Sequence, residues 1–100
     1  MMDYYDRQGN RTSVANWDME YRRVARTQFK DGAWLSTVHL PIDRQYGDGP
    51  PLIFESMLFL DQESFSEIAA NRYSTEKEAL EGHRRMVAAE VGAGRQVVDE

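Results

Sequence analysis

Hydrophobic and polar residues alternate through the first half of this chain, from about residue 21 to residue 42. Two alternating segments, 21–29 and 33–42, flank a Lys-Asp-Gly sequence. In the second segment, Trp34 and Leu40 share one parity, whereas Thr37 has the other. Asp-Gly between two such segments is the strongest short-range signal of a β-hairpin. The pattern therefore predicts two antiparallel strands joined by a tight turn.

The most apolar part of the sequence, 52–60, is hydrophobic on both parities and is interrupted only by Glu55 and Ser56. A strand of this kind is buried on both of its faces. The segment 67–73 comes next and leaves two interpretations open. It predicts either a fourth antiparallel strand or an irregular connection, because its Ala-Ala-Asn sequence forms strands poorly.

A helical period replaces the alternation after residue 74 and predicts a helix over 75–91. Thr75 and Glu78 form a capping box, in which the Thr75 hydroxyl accepts from the backbone N–H of residue 78 and Glu78 reaches back to the N–H of residue 75. Glycines at positions 92 and 94 end the helix. The residues predicted to face inward share the 3.6-residue spacing of one helix face. They are Ala79, Leu80, His83, Met86, Val87 and Val91.

These elements predict an α+β fold with an antiparallel three- to four-stranded sheet packed on one C-terminal helix. The expected organisation is an N-terminal arm (1–18), a single α+β domain (19–92) and a C-terminal tail (93–100). A helix of this length is roughly 25 Å long and about 10 Å wide, so it covers one face of such a sheet. We therefore expect the second face to be covered by the arm, by a second copy in a homodimer, or by a different protein.

Composition narrows the classes of function. The chain has 100 residues, 41% of them hydrophobic, and its net charge is −5. It contains no cysteine, which excludes disulfides and thiolate metal sites. Neither a membrane-spanning run nor a secretory signal is present, so we expect no membrane association and a cytoplasmic location. The acidic balance argues against direct nucleic-acid binding, which usually needs a basic stripe.

The loop 43–51 is a candidate recognition site because it is long and contains two glycines and two prolines. It lacks the Gly-Lys-Ser/Thr ending of a phosphate-binding loop and the acid spacing of a calcium-binding loop. One interpretation is a turn that directs the third strand. The other is an exposed tip in which Arg44, Tyr46 and Asp48 bind a partner.

Basic and acidic residues on the strands provide further binding candidates. Arg22 and Arg26 share one parity of the first predicted strand and are candidates to contact phosphate or a carboxylate-rich partner, or simply to protect an edge strand by charge. Glu55 is the acidic residue of the third strand. Together with His39 and His83 it is the candidate metal or catalytic combination, and ordinary partly buried histidines are the simpler interpretation. No nucleophile motif is present, and we predict no catalytic residue, metal or cofactor.

Several motifs resemble a group of small, uncharacterised bacteriophage proteins. The matching segments include a Trp-Leu-Ser-Thr-Val-His strand from residue 34, a Gly-Asp-Gly-Pro-Pro-Leu-Ile-Phe-Glu run from residue 47 and a Tyr-Ser-Thr-Glu helix start from residue 73. The resemblance covers about residues 33–88 and transfers no catalytic residue. It implies a phage accessory protein that acts in the cytoplasm of the bacterial host.

Two functions follow as expectations. The first is a non-enzymatic interaction protein that inhibits a host nuclease or defence complex by protein–protein contact, as anti-CRISPR proteins do. In this interpretation the acidic side of the predicted helix imitates the charge of nucleic acid. The alternative is a module that binds a small molecule or nucleic acid through the 43–51 loop, Arg22 and Arg26.

Overall fold

A four-stranded antiparallel sheet and one long helix form the body of the molecule, as a computed structural model of residues 3–43, 49–63 and 67–98 shows. The predicted α+β class is confirmed. A smaller two-stranded sheet precedes the main one, in which the strand order is β3-β4-β5-β6. The elements are β1 (Tyr4–Tyr5), β2 (Arg11–Thr12), α1 (Met19–Arg22), β3 (Arg23–Gln28), β4 (Trp34–His39), β5 (Phe54–Phe59), β6 (Ala69–Tyr73) and α2 (Glu76–Gly92).

The β3–β4 hairpin forms as the Asp-Gly signal predicts. The Phe29 N–H donates to the Ala33 carbonyl at 2.9 Å, and Gly32 takes a φ of 99° that favours glycine. The beginning of the first strand differs from the prediction, because residues 19–22 form a helical turn. The Arg22 N–H donates to the carbonyl of Asp18 at 3.0 Å in this turn. Arg22 therefore precedes β3 and does not share a strand face with Arg26.

The segment 67–73 contains a strand, so the first of the two interpretations is correct. β6 is the last strand of the sheet and pairs with β5 from Phe54↔Tyr73 to Leu58↔Ala69. Alanine and asparagine are tolerated here because an edge strand needs only one hydrogen-bonded neighbour and few buried side chains. β5 itself is buried at every position except Met57, as its apolar sequence predicts.

Helix α2 begins at the predicted cap. The Thr75 hydroxyl accepts from the Glu78 N–H at 3.1 Å, and Glu78 uses its carboxylate to accept from that hydroxyl at 2.9 Å, not from the backbone of residue 75. Ala79 and His83 face the sheet as expected. Val91 was predicted to face inward, but it is 48% exposed because it lies in the last turn, beyond the packed part of the helix.

Two apolar clusters are part of the core. The first contains Phe29, Ala33, Leu35 and Leu58, with Met86, Val87 and Val97 packed against them. The second contains Ile53, Phe54 and Ala79, with Tyr5, Val24 and Tyr73 packed against them. Both clusters combine residues from the ends and the middle of the chain, so the terminal segments take part in the core.

The N-terminal arm lies beside α2. The Tyr5 N–H donates to the Pro41 carbonyl at 2.7 Å, which joins the arm to the end of β4. Arg7 donates through Nη1 to the Tyr21 carbonyl at 2.9 Å and through Nε to Glu76 Oε1 at 2.7 Å. The arm therefore connects α1 to the first turn of α2.

The described residues contain no helix with the length and apolar character needed to cross a lipid bilayer.

Candidate functional site

The two faces of the main sheet are distinguished by the contacts of His83. This helix residue hydrogen-bonds Thr27 on β3 and Thr37 on β4, so these threonines point toward α2. Side chains alternate along a strand, and residues opposite each other in antiparallel strands share a face. The opposite side of the sheet, which we call the open face, therefore carries Arg26, Gln28, Trp34, Ser36, Val38, Glu55, Met57, Phe59, Ala70 and Arg72.

An ordered aromatic stack occupies one end of the open face. The rings of Trp34 and Phe59 are 4.6 Å apart between centroids, and the guanidinium of Arg26 lies 4.6 Å from the Trp34 centroid. Arg26 also donates to Gln62 Oε1 at 2.9 Å, and the indole N–H of Trp34 donates to the Asp61 carbonyl at 2.8 Å. These bonds fix the predicted binding residue Arg26 and its tryptophan in one arrangement.

An ion pair occupies the other end of this face. Arg72 Nε donates to Glu55 Oε2 at 2.8 Å, and the two residues are opposite each other in the β5–β6 register. Glu55 is only 8% exposed, so its carboxylate depends on this partner for compensation of its lost hydration. The predicted binding residue Glu55 therefore lies on the open face, where it positions Arg72.

The open face is shielded in a way that the sequence prediction did not include. Val38 and Phe59 are 4% and 8% exposed, although α2 lies on the other side of the sheet. Part of this cover comes from side chains of the same face, because Trp34 stacks directly on Phe59. The arm was one of the expected covers, and its Tyr5 packs against the cluster that contains Ile53, Phe54 and Ala79.

The other predicted arginine also contacts a tryptophan. Arg22 Nε donates to the His39 carbonyl at 3.0 Å, and its guanidinium lies 5.3 Å from the centroid of Trp17. Trp17 is 52% exposed. Neither tryptophan was predicted from the sequence to contact these arginines. The predicted residues Arg44, Tyr46 and Asp48 lie outside the described residues.

A buried polar chain connects α2 to the middle of the sheet. His83 Nδ1 lies 2.7 Å from the Thr37 hydroxyl and His83 Nε2 lies 2.8 Å from the Thr27 hydroxyl. Thr37 also lies 2.5 Å from the hydroxyl of Ser56. Burial lowers the pKa of His83, and the nearby charge of Arg84 lowers it further. The neutral imidazole then joins the hydroxyls as one donor and one acceptor.

His39 is fully buried without such partners. Among the described residues, neither of its ring nitrogens has a hydrogen-bond partner. Its ring lies 5.9 Å from that of Tyr21 and 5.3 Å from that of Phe54. Burial lowers the pKa of His39, and the nearby backbone of Asp6, which makes no hydrogen bond of normal geometry to the ring, opposes this effect only in part. His39 therefore behaves as an aromatic core residue.

The combination of His39, His83 and Glu55 does not form one site. The two histidines face α2, whereas Glu55 lies on the open face with Arg72. Among residues 3–43, 49–63 and 67–98, no three histidine, aspartate or glutamate side chains are grouped to hold a metal ion. The arrangement of these side chains thus gives no support to the metal or catalytic interpretation.

No protein-family model, curated protein or solved structure matches the chain. The resemblance to phage proteins stays a prediction from the sequence.

Proposed function

We propose that this chain is a non-enzymatic interaction protein that binds another protein through the open face. The supporting observation is the stack of Arg26, Trp34 and Phe59 on a sheet face opposite the long helix. Tryptophan and arginine are the residue types that most often dominate the energy of protein interfaces. Their fixed positions also reduce the entropy lost on binding.

A protein partner fits this surface better than a small molecule. The central positions of the open face are Ser36 and Met57, which lie opposite each other between the aromatic stack and the Glu55–Arg72 pair. Methionine and aromatic residues are enriched at protein interfaces, where an apolar centre is surrounded by charged residues. The open face has this composition.

The resemblance to phage proteins extends the proposal to inhibition of a host nuclease or defence complex. The mechanism that we favour is direct contact through the open face. Mimicry of nucleic acid by α2 loses support, because the exposed side of this helix is mixed in charge. Glu78 and Glu81 are exposed there, but so are Lys77, Arg84 and Arg85. An inhibitor of this type blocks its target by occupying a protein surface.

Capture of partners from a bacterial lysate tests the proposal when a matched pair of variants is included. Met57→Arg adds a charge at the centre of the open face, and Ala88→Arg adds the same charge on the exposed side of α2. We expect the wild type and Ala88→Arg to recover the same host protein and Met57→Arg to lose it. Circular dichroism of each variant confirms that it is folded.

Two results contradict the proposal. In one, the wild type recovers only itself. In the other, Met57→Arg recovers the same host protein as the wild type. Sedimentation equilibrium separates a second possibility, in which the open face binds another copy of this chain and Met57→Arg converts a dimer to a monomer.

The alternative function, binding of a nucleic acid through Arg22 and Arg26, has a separate test. Both guanidinium groups already lie against tryptophan rings, which reduces their freedom to follow a phosphate backbone. Salt-dependent retention on immobilised DNA, lost in an Arg22→Ala and Arg26→Ala double variant, is the result that favours this alternative.

A further inference from the structure

Strand β3 is an edge of the sheet, and the described residues cover only part of its length. The segment 96–98 runs antiparallel to the end of β3 and makes a β-bridge between Val97 and Phe29. The Lys30 N–H donates to the Gln96 carbonyl at 2.8 Å, and the Val98 N–H donates to the Gln28 carbonyl at 2.9 Å. Within the described residues this cover ends at Gln28, and no strand pairs with the outer edge of residues 23–27.

The free part of the edge presents backbone groups in a known direction. The Phe29 N–H points toward β4, where it bonds Ala33. Gln28 and Lys30 use the outer edge, in agreement with the alternation of hydrogen-bonding directions along an antiparallel strand. The same alternation, continued two residues back through the Arg26↔Ser36 pair, points the N–H and carbonyl of Arg26 outward.

A groove follows this edge, and the described residues that line it are basic, polar or apolar. Its volume is about 560 Å³, and it is lined by Arg23, Arg26, Thr27, Gln28, Val97 and Val98. None of these lining residues is acidic, and Arg23 makes no ion pair with any described residue. The groove thus combines two cationic side chains with strand backbone that no described residue pairs with.

We propose that the partner protein inserts an extended acidic segment into this groove, as an additional strand on the edge of β3. The inference rests on the proposed function in one respect, that the partner is a protein. Backbone bonds to Arg26 hold the added strand in line with 96–98, and a carboxylate of the segment binds the guanidinium group of Arg23, which has no ion-pair partner among the described residues. Strand addition to a sheet edge is an established mode of peptide recognition, and arginine–carboxylate bonds are among the stronger hydrogen bonds in proteins.

Arg26 connects this groove to the open face, because its backbone lies at the edge and its side chain covers Trp34. One partner bound on both surfaces therefore contacts Arg26 twice. The open face then provides apolar contact area, and the groove selects for an acidic extended segment.

Fluorescence anisotropy with labelled synthetic peptides tests the inference directly on the full chain. The probe is a short peptide that alternates glutamate with threonine. One control peptide carries lysine in place of glutamate, and another keeps the glutamates but has N-methylated backbone nitrogens. We expect the glutamate peptide to bind, the lysine peptide not to bind, and the N-methylated peptide to bind at least about tenfold more weakly because it lacks strand donors.

A pair of charge-reversal variants shows where the peptide binds. Arg23→Glu places a carboxylate in the groove, whereas Arg85→Glu makes the same change in net charge on the exposed side of α2. We expect Arg23→Glu to weaken binding by about tenfold or more and Arg85→Glu to change it by less than about twofold. Slower hydrogen exchange of the Arg26 amide in the presence of the peptide supports strand addition.

Five outcomes overturn the inference. In the first three, the wild type does not bind the glutamate peptide, the N-methylated peptide binds as tightly as the unmodified one, or Arg85→Glu weakens binding as much as Arg23→Glu. In the fourth, the peptide binds only to a chain shortened to end at Val98. In the fifth, the protein associates with itself and Arg23→Glu abolishes this association. The fourth outcome would mean that residues 99–100 occupy the groove, and the fifth that a second copy of the chain occupies it. Met57→Arg separates this inference from the proposed function, because it is expected to lose lysate capture while it keeps peptide binding.

Discussion

The ring of Phe59 lies almost parallel to the ring of Trp34, with an angle of 23° between their planes. These residues are opposite each other in neighbouring strands, so the stack follows directly from the β4–β5 register. Arg26 covers the outer side of the indole. The isolated chain therefore already holds these three side chains in one arrangement before any partner binds.

Replacement of Trp34 by alanine is expected to destabilise the domain by about 2 kcal/mol, because it exposes Phe59 and removes the support of Arg26. The matched control is Trp17→Ala, which removes a more exposed indole from Arg22 and is expected to cost less than about 1 kcal/mol. Urea unfolding measures both values. Equal costs for the two variants contradict the structural role given to the stack.

Gly82→Ala is expected to destabilise the protein by about 1–3 kcal/mol, although alanine is the better helix former. A side chain at position 82 overlaps the ring of Tyr73, which packs across α2 at this point. Gly92, at the other end of the helix, has no atom near the position of a Cβ. Gly92→Ala should therefore be neutral or stabilising in the same thermal unfolding experiment.

The two histidines make stability fall as the solution becomes acidic. Burial lowers the pKa of both His39 and His83 in the folded state, so the unfolded chain binds more protons below a pH of about 6.5. Stability is then fully present above that pH and decreases by up to about 1.4 kcal/mol per pH unit for each histidine as the pH falls. Urea unfolding at a series of pH values between neutral and acidic conditions measures this slope.

The same histidines are expected to differ when each is replaced by leucine. His39→Leu removes ring nitrogens that have no described partner, so it should be neutral or stabilising at neutral pH and should reduce the pH slope. His83→Leu leaves the hydroxyls of Thr27 and Thr37 without their partner and should cost about 2 kcal/mol or more. A larger loss for His39→Leu than for His83→Leu contradicts these assignments.

Arg72→Ala is expected to cost about 2 kcal/mol, because it leaves the buried carboxylate of Glu55 without its ion-pair partner. Adding Glu55→Gln to that variant should recover part of the loss, since a neutral amide is less expensive to bury than an unpaired charge. A double-mutant cycle in urea measures the coupling. If the two changes in unfolding free energy simply add, Glu55 and Arg72 do not stabilise the fold as a pair.

The helix and the hairpin could be predicted because each depends on a signal within a few neighbouring residues. These signals are the capping residue Thr75 and the Asp-Gly turn after Lys30. β6 could not be decided, because an Ala-Ala-Asn sequence becomes a strand only through pairing with β5. Residues 21–22 were predicted as the beginning of the strand because the alternation continues through them, whereas they end the helical turn at 19–22.

The candidate site was predictable only in part. Arg26 and Glu55 were identified, but their partners Trp34 and Arg72 depend on the register between strands. Once the hairpin turn is fixed, Trp34 follows as a diagonal neighbour of Arg26, so this pair was within reach of the sequence. The contact between His83 and Thr37 was not, because it requires the position of α2 on the sheet.

The pairing of segment 96–98 with β3 has a consequence for synthesis on the ribosome. The β3–β4 hairpin consists of neighbouring residues and is able to form early, but the edge beside Phe29 is completed only after every other strand has been made. The bond from Arg7 to Glu76 likewise forms only after residue 76 has been synthesised. During translation the growing chain therefore exposes an unpaired sheet edge. If the ribosome pauses before residue 96, this edge stays exposed and the nascent chain is prone to aggregate.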